Sequence, residues 1–163
     1  MKRSVISPRT ASAHWLARLG MCVTLLAGTP QASLAGPACA FTSETPVSFG
    51  VYDVFNALPN NNGVGSIVIK CTGGGGPYDV TLSTGQSNSY VSRLMRSGNY
   101  LLNYNLYTST ARTIVWGNGS GGSSMVSVPK NSTQTLSIFG HIPARQDVAV
   151  GVYSDNIHVT VHF

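Results

Sequence analysis

Beyond residue 35 the chemistry-bearing side chains are three histidines, five carboxylates and two cysteines, and their spacing is wrong for catalysis. His158 and His162 lie four apart. On a strand that puts them on one face but about 13 Å apart, too far to share a metal ion. They read as residues of an exposed polar face, and His141 stands alone. Serine is abundant, yet no Gly-x-Ser-x-Gly elbow presents one as a nucleophile. Glu44, Asp53, Asp79, Asp147 and Asp155 are scattered, so no carboxylate pair is suggested. Gly73–Gly76 lacks the Lys-Ser/Thr of a phosphate loop and the helix behind it, and reads as a strand connection. Asn118-Gly119-Ser120 and Asn131-Ser132-Thr133 fit the glycosylation acceptor pattern but read as turns. Tyr104, Tyr107, Trp116, Phe139, Tyr153 and Phe163 suit core or interface packing better than a sugar platform. No catalytic residue, metal site or cofactor is expected.

Charge excludes a further class. The formal net charge is +5, but Lys2, Arg3, Arg9 and Arg18 all precede residue 19. The rest carries six basic and five acidic residues, with no basic cluster of the kind nucleic acid requires. The basic start leads into an apolar run through Leu16, Leu19, Met21, Val23, Leu25 and Leu26, then small residues, with Ser33 and Ala35 placed for signal peptidase. Residues 1–35 are expected to be a signal peptide and 36–163 one exported domain. The run is too short to span a membrane, and no later segment qualifies. Gly36-Pro37-Ala38 is a poor approach to an acylated Cys39. Cleavage would leave Cys39 and Cys71, which in an exported chain most simply form one disulfide; a zinc site would need two more ligands.

The elements that must carry these residues are strands. Helix formers are scarce, and no window keeps a 3.6-residue apolar period over three turns. Short alternating runs occur instead at 64–71, 78–83, 100–107, 113–116, 133–142 and 157–163, separated by Asn60–Gly63, Gly73–Pro77 and Asn118–Ser124. The last run alternates most cleanly: Ile157, Val159, Val161 and Phe163 point one way, His158, Thr160 and His162 the other. Either earlier strands flank this run inside a sheet, or it is an apolar edge that something else must cover.

In order, the chain shows Cys39-x-Phe41, Phe49-Gly50-x-Tyr52, Gly65 with Ile69-x-Cys71, and Tyr78-Asp79-Val80-Thr81-Leu82-Ser83-x-Gly85. It continues with Arg93-x-Met95, Leu102-x-Tyr104-Asn105-Leu106-Tyr107 and Trp116-Gly117-x-Gly119. It ends with Phe139-Gly140-x-Ile142-Pro143-Ala144-x-Gln146 and Gly151-x-Tyr153-x-Asp155-x-Ile157-x-Val159-Thr160-Val161-x-Phe163. Over 39–163 this resembles the spore coat protein U domain, a family that includes pilin subunits of archaic chaperone–usher pili. The resemblance implies an all-β, incomplete immunoglobulin-like sandwich lacking its final strand. A periplasmic chaperone, and then a neighbouring subunit, would supply that strand, and an outer-membrane usher would assemble the polymer. It also implies a Cys39–Cys71 disulfide and a partner-strand groove lined by Ile157, Val159, Val161 and Phe163.

In one respect the sequence departs from a polymerising subunit. Cleavage after Ala35 leaves only Gly36-Pro37-Ala38 before Cys39, and 29–38 has two prolines and no apolar alternation. The expectation is a secreted structural or adhesive pilus subunit that receives a strand and gives none, hence a tip or capping subunit at the cell surface. The alternative is a secreted spore-coat or matrix protein of the same fold that does not polymerise.

Overall fold

The computed structural model describes residues 36–74 and 76–162. Ten strands follow in order: β1 (Ala38–Ser48), β2 (Val64–Thr72), β3 (Tyr78–Leu82), β4 (Arg93–Ser97), β5 (Tyr100–Tyr107), β6 (Val115–Trp116), β7 (Ser123–Ser124), β8 (Val126–Val128), β9 (Ser132–His141) and β10 (Val159–His162). Among the described residues one 3-10 turn occurs, at Gly85–Ser87. The larger sheet runs β1-β2-β9-β5-β6-β7, with β4 added to β5; the smaller runs β10-β3-β8.

Alternation builds the core. Ile67, Ile69 and Cys71 of β2, Ile138 of β9, and Leu102, Tyr104 and Leu106 of β5 face Tyr78, Val80 and Leu82 of β3 within one buried cluster. Trp116 closes it, its indole N–H donating to Val80 O at 2.9 Å. The glycine run links the two sheets. Tyr78 donates its hydroxyl to the Gly73 carbonyl, and a side chain on Gly74 (φ +75°) would press on that hydroxyl. The β4–β5 hairpin closes through Gly98-Asn99, with Gly98 at φ +55° in a turn that calls for positive φ.

Cys39 lies directly opposite Cys71 in the β1–β2 ladder, and the two form a disulfide with Cα atoms 4.1 Å apart. The bridge pins an edge strand whose side chains are mostly exposed. Closing a loop with a sequence separation of 32 residues stabilises by about 3–4 kcal/mol on the chain-entropy relation. Replacing both cysteines by serine is therefore expected to lower unfolding stability by that amount, measured as a drop in denaturant midpoint.

The last strand is an edge: among the described residues β10 pairs with β3 alone. Of the alternatives the sequence left open, the structure selects the uncovered one. β10 starts at Val159, two residues later than the alternation implied, although Ser83 N–H still bonds His158 O at 2.9 Å.

Candidate functional site

A groove of about 1020 Å³ opens into the core beside this edge. Its floor is Met95 of β4, Leu102, Tyr104 and Leu106 of β5, Ile138 of β9, and Ile142. One lip is residues 44–54, where the chain leaves β1; the other is residues 148–157, leading into β10. Beyond Ser48 the lips hold no strand, only an isolated bridge between Ser154 and Arg96. The backbones of Val148, Val150, Gly151 and Val152 have no backbone partner among the described residues. Val51, Val150 and Val152 stand 91%, 108% and 89% exposed. An apolar segment with free N–H and C=O groups, set above an uncovered core, is a template for an added strand.

β10 extends the same edge. In an antiparallel ladder, residues bonded to the partner alternate with residues whose backbone groups point away. His158 is bonded to Ser83, so in the register Val159↔Leu82, Val161↔Val80 the backbones of Val159 and Val161 face the free side. Their side chains meanwhile pack, half-buried, against the core.

Arg93 sets where that ladder ends. It is fully buried on β4. Its Nε and Nη2 donate to Ser83 O at 3.0 and 2.9 Å, Nη2 also to Trp116 O at 2.7 Å, and Nη1 to Asn105 Oδ1 at 2.6 Å. The guanidinium lies 5.2 Å from the centre of the Tyr90 ring. Burial lowers the Arg93 pKa, with the Tyr104 and Tyr90 phenols opposing, but arginine keeps its charge in proteins. Because Arg93 holds the Ser83 carbonyl, His158 N–H bonds the Ser83 hydroxyl instead, at 2.9 Å.

Above that point a second set of contacts holds the lip. Asp155 accepts Tyr104 O–H at 2.7 Å, Gln86 N–H at 3.0 Å and Asn156 N–H at 2.7 Å. A Cβ on Gly85 would collide with this carboxylate. Burial, reinforced by Asp155, pushes the Tyr104 phenol far above its ordinary range, so it remains a neutral donor. On the first lip, Phe49 sits edge-on to Tyr104 at 5.9 Å, in a slot that a side chain on Gly63 or Gly140 would fill.

Of the four residues expected to line a partner-strand groove, Ile157 lines this cavity. Val159 and Val161 are not among its lining residues; they form the next stretch of the same edge. Phe163 and the expected signal segment 1–35 lie outside the described residues. The histidines have separate surroundings: His141 bonds Asn61, and His162 bonds Thr81. Among the described residues no group of three His, Cys, Asp or Glu could hold a metal, and no helix is long and apolar enough to cross a membrane. Sequence reasoning did not single out 44–54 or 148–156 as groove walls. The spacing Val148-x-Val150-x-Val152 was the available signal for the second.

The fold and site define a class: an incomplete immunoglobulin-like sandwich with an open apolar groove and an unpaired strand edge. The chain belongs to the Spore Coat Protein U domain family, whose profile matches residues 27–160. Membership places it among structural proteins, not enzymes. Protein U of Myxococcus xanthus is 30% identical over 143 residues, covering 78% of this chain and 79% of that protein. A similar solved structure is the chaperone–tip adhesion subunit pre-assembly complex from the archaic chaperone–usher Csu pili of Acinetobacter baumannii. The match there has a TM-score of 0.53 at 23% identity, and covers 78% of this chain and 40% of that chain. This chain thus spans less than half of that one, and the likeness is one of fold.

Proposed function

We propose that this protein is a secreted subunit of a chaperone–usher surface pilus, completed by a strand from its partner. The observation that carries the reading is the groove whose second lip, with Val148, Val150, Gly151 and Val152 lacking backbone partners among the described residues, runs into the open edge of β10. A partner strand with alternate apolar residues would pair along that edge and cover Leu102, Leu106 and Ile138. In this reading residues 1–35 direct export and are removed, a periplasmic chaperone fills the groove first, and the usher exchanges it for a neighbouring subunit.

The same reading makes the subunit a receiver only. Residues 38–48 are committed to their own sheet from the Ala38↔Thr72 pair onward. Cleavage after Ala35 would leave Gly36 and Pro37 as the free segment, too short to serve a neighbour, and the position that fits is the tip or cap. A second reading, a coat protein of the same fold that never polymerises, is suggested by the description of its family as the Spore Coat Protein U domain.

Co-expression with a chaperone encoded beside it tests the proposal. A stoichiometric periplasmic complex is expected, with the lone chain aggregated or degraded. Recovery of a stable, protease-resistant monomer without the chaperone would contradict it and favour the coat-protein reading.

A further inference from the structure

The first lip is tied, through one side chain, to the segment that leads into the second. Tyr52, on the first lip, donates its hydroxyl to Pro143 O at 2.8 Å and accepts Gln146 N–H at 2.9 Å. Among the described residues no other hydrogen bond connects 44–54 with 143–157. Gln146 is itself fixed. Its carboxamide accepts Asn103 N–H at 2.7 Å and donates to Asn103 C=O at 2.9 Å, as a neighbouring strand's peptide group would. β9 reaches β5 only at Asn105–Tyr107, so the edge of β5 at Asn103 has no strand on that side, and Gln146 occupies it.

We propose that the Tyr52–Gln146 tie is an end stop, closing the groove where the second lip begins and fixing the register at which a partner's strand seats. The inference rests on the strand-acceptor reading above. A strand lying along β10 and 148–157 pairs one residue for each residue of the edge. On reaching Gln146 it meets the tie to Tyr52 of the first lip, and the next backbone edge, at Asn103, is already taken. The occupant is therefore an extended segment, apolar at alternate positions, that ends or turns out at Gln146.

The test appends a strand of alternating Val and Thr after Phe163 through a glycine linker, so that it returns antiparallel along the edge. Strands of about 10, 16 and 22 residues would stop short of, reach and overrun Gln146. In the native sequence the thermal midpoint is expected to rise by about 3 °C or more from the first to the second length, and not from the second to the third. In Tyr52→Phe, which keeps the ring, and in Gln146→Ala, the third length is expected to add a further rise. The same variants without an appended strand are measured alongside, so a loss common to all forms is separated from the length dependence. A plateau at the same length in native and both variants would overturn the end stop. No rise with any strand would overturn the acceptor reading itself.

Discussion

Proline at both Val150 and Val152 is expected to abolish capture of the chain by the proposed chaperone while leaving the fold intact. Proline removes the backbone donor, and its ring obstructs a strand pairing alongside. Both side chains are exposed, and neither backbone is bonded to another among the described residues, so nothing in the native packing is lost. Where the backbone accommodates its fixed φ and no native hydrogen bond is lost, proline changes stability by only about 0.4–1 kcal/mol, chiefly through the unfolded chain. The comparison is between thermal midpoint, expected to hold, and yield of the co-purified complex, expected to fall at least tenfold. Unchanged complex yield would show that the partner binds elsewhere.

The other large effect is expected at Arg93. Truncation to alanine leaves Ser83 O, Trp116 O and Asn105 Oδ1 without this donor, and opens a void beside Tyr90. Each buried acceptor left unsatisfied costs about 1–3 kcal/mol, and disrupting a buried charged network commonly costs about 3–5 kcal/mol. Arg93→Ala is expected to destabilise by an amount in that range, enough to unfold a marginal domain. Arg93→Lys keeps the charge but loses the planar fork that reaches three acceptors, and should recover only part of the loss. A urea midpoint for Arg93→Ala within experimental error of native would show that the network contributes nothing to stability.

Arg93 also explains much of what the sequence concealed. β4 reads Arg-Leu-Met-Arg-Ser, with a charge at an inward position where alternation calls for an apolar residue, so no strand was legible there. The guanidinium's hold on Ser83 is also why β10 begins later than its alternation suggests. β1 was hidden for another reason: as an edge strand tied by a disulfide, it is mostly exposed and carries little alternation. Strands β2, β3, β5 and β9 were legible because each buries one face. The groove was legible only at Ile157. Its walls are defined by strands they do not pair with, and a missing neighbour leaves no period in a sequence. The motif residues Gly85, Tyr104 and Asp155 are far apart in the chain, and only the fold brings them together to hold the lip.

In the proposed function a partner's strand pairs along 148–162. Backbone hydrogen exchange, compared between the chaperone complex and the free chain, tests it most directly. The amides of Val159 and Val161, and alternate amides across 148–152, are expected to exchange fast in the free chain and to become protected in the complex. A stable complex in which those amides still exchange at the free-chain rate would contradict the account.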